Sequence, residues 1–266
     1  PQFLIDFVEY LFRLASTEDA GHGGFPGYHI VVLLIGCFPV SIFAIGTILP
    51  WKESHPYHRD FRQWMLIMLG VVVVLFSIVQ SKIVHYSSLA YFPLTYLGAR
   101  VLYHLISGKD PLAKWMQISL WSIGGIFVLA CTAFPLIGMN PEVLLDFVKD
   151  SNVRDIIPYP QDWNYLDLLP AVLLLAVLII SQRFFSKREN QKAVISLLGG
   201  MALFISLSLI FFIKKIEAYS QEAAITFFEK IAEEDAYIIS FGYKTYGQLF
   251  YGKKPYAPDA PKTWKT

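Results

Sequence analysis

Long apolar runs recur along this chain. One of them, MLIMLGVVVVLFSIV at 65–79, has no ionisable side chain. In a bilayer every main-chain N–H and C=O must find a partner within the protein, so runs of this kind cross as helices. A hydrocarbon core of about 30 Å needs about twenty residues of helix. Composition agrees: 55% of the residues are hydrophobic, only 16% are charged, and mean hydropathy is +0.47. Soluble domains carry about a quarter charged residues, which excludes an ordinary soluble enzyme. The chain reads as an all-α polytopic membrane protein. The net charge of +1 does not identify partners, and no nucleic acid is expected among them. Cys37 and Cys131 lie inside apolar runs, where cysteine acts as a small hydrophobe and implies no disulfide or metal framework.

Residues 1–28 open with Phe3, Leu4, Phe7, Val8, Leu11, Phe12 and Leu14 falling mostly on one helical face, beside Asp6, Glu9 and Arg13. This spacing predicts an amphipathic helix lying in the membrane interface, with Glu9 and Arg13 placed for an i, i+4 ion pair. The glycines of STEDAGHGG then allow a tight loop. Six spans are expected: His29 to Leu49 with a kink at Pro39, a short one from Met65 to Val79, Ser88 to Ile106, Trp115 to Ile137, Leu168 to Ile180 running on toward Phe185, and Ala193 to Ile213. Leu144, Leu145, Phe147 and Val148 predict a second short interfacial helix.

The loops after spans one, three and five hold Lys52, Arg59 and Arg62; Lys109 and Lys114; and Arg183, Lys187, Arg188 and Lys192. The other face holds fewer cations: Lys82, Lys149 and Arg154, and Lys214 with Lys215. The positive-inside rule makes the first group cytoplasmic. Both ends of the chain and the turn at 81–87 then lie outside. Residues 1–213 form the membrane region. Residues 214–266 read as helix, then a strand near Tyr237–Tyr243, then a short helix, the start of an extracytoplasmic α/β domain. The chain opens on Pro rather than Met and is read as a piece of a longer polypeptide.

Between two strongly apolar runs lies SKIVHYSSLAYFPLTYL, Ser81 to Leu97, with Lys82, His85 and Tyr86 at its head. By itself this could be an aromatic and basic anchor at the end of a spanning helix. Taken with the N-terminal EYLFRLASTEDAGHGGFPGYH, it resembles a family. The segment KIVHYSSLAYFPLTYLGA is similar to the K-(L/I)-x-x-Y…P stretch of GT-C type glycosyltransferases that use lipid-linked sugars. The likeness is to the aminoarabinose transferases and bacterial protein O-mannosyltransferases of glycosyltransferase family 39. Glu9, Arg13, Asp19, Ala20 and His22 match the E-x-x-x-R helix and D-A-x-H of that family's external loop, and YIISFGYKTYGQLFYGKKP resembles the start of its extracytoplasmic domain. The loop after His22 has fewer aromatic residues than the family pattern.

The resemblance implies the C-terminal half of a bacterial inner-membrane enzyme. Such an enzyme transfers sugar from a polyprenyl-phosphate donor to a lipid, protein or glycan acceptor. The family's catalytic acid belongs to an earlier external loop, so this stretch holds no catalytic residue and is expected to be inactive without the N-terminal half. Lys82 would stabilise the departing lipid phosphate, with Tyr86 and His85 beside it and Arg13 clamping phosphate bidentately. Glu9 and His22 could hold a divalent cation or simply order the loop. Asp19 reads as a turn residue. The competing readings are half of a transporter or lipid flippase, and a structural membrane subunit. Transport calls for ionisable groups or broken helices at the midplane, and spans four to six carry almost none.

Overall fold

The computed structural model describes residues 2–17, 23–48, 55–108, 111–145, 147, 161–234 and 247–253. All regular structure in these residues is helical. Among the described residues, four helices are long and apolar enough to cross a membrane: Pro56–Ile78, Lys114–Met139, Tyr165–Ser186 and Asn190–Ala232. The all-α membrane class read from composition therefore holds. The strand near Tyr237–Tyr243 lies outside the described residues, and so does most of the segment after Leu145.

The chain order is α1 (Gln2–Ser16), α2 (Tyr28–Gly36), α3 (Val40–Ile48), α4 (Pro56–Ile78), a 3-10 turn (Val84–Ala90), α5 (Tyr91–Ile106), α6 (Lys114–Met139) and α7 (Glu142–Leu145). A second 3-10 turn (Tyr165–Leu168) leads into α8 (Leu169–Ser186) and α9 (Asn190–Glu217). A π-helical turn (Ala218–Glu222) joins α9 to α10 (Ala223–Ala232), and α11 spans Gly247–Tyr251. Three expected boundaries change. The first expected span is two nine-residue helices, α2 and α3, separated at Cys37–Pro39, with a cis Phe38–Pro39 bond. The second is not short, because α4 has 23 residues and starts at Pro56. The helix expected to begin at Lys214 is continuous with α9.

Two compact units divide the fold, Pro1–Leu129 with Ala171–Leu203 and Ala130–Pro170 with Phe204–Thr266. The core of the first gathers Leu33, Ala44, Met65, Leu69, Val72, Ala90, Leu94 and Leu97. Lipid offers no hydrophobic drive for helices to associate, so close approach at small residues matters most. Gly98 of α5 lies so near α3 that a Cβ there would sit 2.6 Å from Val40 Cγ1 and 2.9 Å from the Val40 carbonyl oxygen. Gly200 meets Val177 and Gly124 meets Leu178 in the same way. Thr47 Oγ1 also donates to the Leu97 carbonyl at 3.2 Å, linking α3 to α5. Arg62 Nε donates to the Thr47 carbonyl at 2.9 Å, satisfying an orphan acceptor at the end of α3. At the start of α9, Asn190 Nδ2 reaches the Leu105 carbonyl near the end of α5 at 2.6 Å.

Gly98→Ala should therefore destabilise the first unit by about 1–3 kcal/mol through overpacking, because one of the two obstructing atoms, the Val40 carbonyl oxygen, is main chain and cannot swing away. Gly125→Ala meets nothing within 4 Å and should be neutral or slightly stabilising. Thermal unfolding of both variants in detergent checks the contrast. Equal melting points would show that α3 and α5 are not in close contact.

Outer faces are apolar. Val71, Val74, Leu75 and Ile78 of α4 are exposed, as are Ile118, Ile126 and Leu129 of α6. Exposed aliphatic stripes on helices of spanning length face lipid.

Candidate functional site

The corner after α4 is built around Lys82. A helix end leaves its last carbonyls without intrahelical donors and carries partial negative charge. Lys82 folds back onto that end, its Nζ donating to the carbonyls of Phe76 at 2.9 Å and Ser77 at 2.8 Å, and also to that of Val79. All three ammonium protons are thus engaged. The side chain is only 5% exposed, and its stem is covered by Gly24, where a Cβ would lie 2.8 Å from Lys82 Cγ. An ammonium at the edge of the hydrocarbon requires partners that offset its desolvation. Here the carbonyls at the end of α4 meet that requirement.

Around this corner Tyr86 packs its ring 5.5 Å from that of Phe76, and His85 stands edge-on to Tyr86 at 5.3 Å. His85 is exposed and Tyr86 half-buried. His29, absent from the sequence-based candidates, is fully buried, with its ring 5.7 Å from Phe76 and neither nitrogen hydrogen-bonded. Its position at the start of an apolar run gave no signal of this.

The end of α1 meets the turn after α4 at this corner. Gln80 N donates to the Ala15 carbonyl at 3.0 Å and Ser81 Oγ to the Thr17 carbonyl at 2.9 Å. The C-terminal end of α1 is therefore held by the two residues before Lys82. Glu9 and Arg13 are both exposed on α1. They do not pair with each other; Arg13 instead stacks over Tyr10 at 5.3 Å. His22 and Asp19 lie outside the described residues, and with them any ligation shared by Glu9 and His22. Among the described residues no three His, Cys, Asp or Glu side chains gather as a metal site.

The second unit holds a polar cluster that the sequence reading missed. Asn164 and Asp167 form a capping box at the helix start: Leu166 N donates to Asn164 Oδ1 at 2.9 Å and Asn164 N to Asp167 Oδ2 at 2.8 Å. Asp167 is 1% exposed and forms an ion pair with Lys215, which also donates to the Asp162 carbonyl at 2.8 Å. Lys215 Nζ lies 5.0 Å over the Trp163 ring, and Trp163 Nε1 donates to Tyr219 OH at 3.2 Å. Trp163 is wedged against Gly138, where a Cβ would come within 2.4 Å of the indole. With its indole covered by Gly138 and Lys215, Trp163 ties helices together and offers no open platform. The N-x-x-D spacing at 164–167 was the available signal for the helix start.

Comparison with protein-family models, curated proteins and solved structures finds no match to this chain.

Proposed function

We propose that this chain is part of an integral membrane glycosyltransferase that moves a sugar from a polyprenyl-phosphate donor to a hydroxyl of a lipid, protein or glycan. The observation that supports the reading is the junction at Gln80 and Ser81, where the helix bearing Glu9 and Arg13 ends beside Lys82, His85 and Tyr86. In the proposed reaction the acceptor oxygen attacks the anomeric carbon and the carbon–oxygen bond to phosphate breaks. The lipid phosphate leaves with the electron pair, and a base takes the acceptor proton. Lys82 would stabilise the charge on the leaving phosphate, helped by Tyr86, His85 and Arg13. Its ammonium must then exchange helix carbonyls for phosphate oxygens. Glu9 with His22 would hold a divalent cation or order the loop. The reading includes six membrane crossings, an extracytoplasmic site and residence in a bacterial inner membrane.

The test uses the full-length encoded polypeptide in sealed vesicles with a radiolabelled polyprenyl-phosphate pentose or hexose. Release of free polyprenyl phosphate with label passing to an acceptor, only when donor is presented on the face opposite the basic loops, is the expected result. Movement of intact donor across the bilayer without bond cleavage would replace the transferase with a flippase.

A further inference from the structure

Among the described residues none covers the outer faces of α1, and the pattern of the helix says what does. At 3.6 residues per turn, Gln2, Asp6, Glu9, Arg13 and Ser16 fall within an arc of about 80°. Phe3, Leu4, Ile5, Phe7, Val8, Tyr10, Leu11 and Phe12 spread over about 220° of the remaining surface. All eight are exposed, from 45% at Tyr10 to 76% at Phe3. A helix docked on one protein partner shows a narrower apolar stripe. An arc this wide needs a partner that wraps most of the circumference.

Two further observations identify that partner. The end of α1 is fixed at Gln80 and Ser81, just past the end of α4, whose Val71, Val74, Leu75 and Ile78 form an exposed apolar strip. The surface around α1 therefore continues a lipid-facing one. The polar strip carries Asp6 and Glu9 against a single Arg13, a balance that gives no attraction to anionic headgroups. Fifteen residues of helix reach about 22 Å, too short to cross the hydrocarbon.

We propose that α1 lies along the membrane, sunk into the acyl chains of one leaflet. Only the line from Gln2 through Glu9 to Arg13 then faces the headgroups. The Gln80–Ser81 junction couples the depth of this helix to the Lys82 corner. The inference does not depend on the transferase reading.

The test places single spin-labelled cysteines at Leu4, Phe7, Leu11, Asp6 and Glu9 in the full-length protein. Cys37 and Cys131 are replaced by Ala, and the host is a nanodisc of phosphatidylcholine alone. At Leu4, Phe7 and Leu11 the label should collide with oxygen several-fold more than with a water-soluble nickel chelate, and at Asp6 and Glu9 the preference should reverse. Labels at Leu4, Phe7 and Leu11 that are immobilised and shielded from both agents would show protein covering α1. Nickel access at all five positions would place the helix in water. Either result overturns the proposal.

Discussion

Asp167→Ala is expected to lower stability by about 3–5 kcal/mol, the scale for removing one partner of a buried ion pair. The carboxylate is 1% exposed, and its Oδ2 serves both Lys215 and the main-chain N–H of Asn164. Removing it leaves the ammonium with only the Asp162 carbonyl and the Trp163 ring and opens the capping box. Lys215→Met should cost a comparable amount, since a buried carboxylate without its counter-ion is equally unfavourable. The double variant Asp167→Asn with Lys215→Met removes both charges and keeps an acceptor for Asn164 N. It should recover most of the loss, because neutral replacement of a buried pair is often tolerated. Denaturant unfolding in a fixed detergent reads all three. Single variants within about 1 kcal/mol of the parent would show that the pair is solvated and contributes as little as a surface bridge.

Lys82→Met is the second large effect. Three carbonyls at the end of α4 lose their donor together, and a loss of about 2–4 kcal/mol in stability is expected from unsatisfied buried acceptors. If the ammonium also meets donor phosphate, kcat/KM per folded molecule should fall by a further amount equivalent to about 2–4 kcal/mol. Lys82→Arg should restore part of each, since a planar fork cannot reproduce three converging bonds from a compact ammonium. The two readouts separate the two roles. A lower melting point with unchanged turnover per folded molecule would leave Lys82 as a helix cap alone.

Helices were legible where hydrophobic side chains alone define them. The span read as Trp115 to Ile137 is Lys114–Met139, and the amphipathic opening is α1. Pro39 marked a real break, but its residue type could not tell a kink from the complete interruption that leaves α2 and α3 separate. The start of α4 was missed because HRDFRQW is polar and reads as loop, although Pro56 at the first helical position was the available signal. Likewise Lys214 and Lys215 looked like an end. The residues from Ile216 to Ala232 contain neither Gly nor Pro and are rich in Ala, Glu and Ile, so nothing local stops the helix at the two lysines.

The Lys82 corner was half legible. Its charge in an apolar setting was plain, but its partners are main-chain carbonyls, which no side-chain pattern encodes. The pairing of Asp167 with Lys215 spans 48 residues and depends on how helices assemble. His29 gave no hint for the same reason.

The unbroken path from Lys215 to Ala232 has a mechanical consequence. Seventeen residues of continuous helix extend about 26 Å beyond the ion pair. A tilt of about 10° at Lys215 would therefore displace Ala232 by about 4 Å. The π turn at Ala218–Glu222 adds a residue to the winding and swings everything after it in azimuth relative to a pure α-helix. Phe228, the buried side chain of α10, owes its bearing to that extra residue. The five residues of the π turn thus set the torsional phase of the segment that follows.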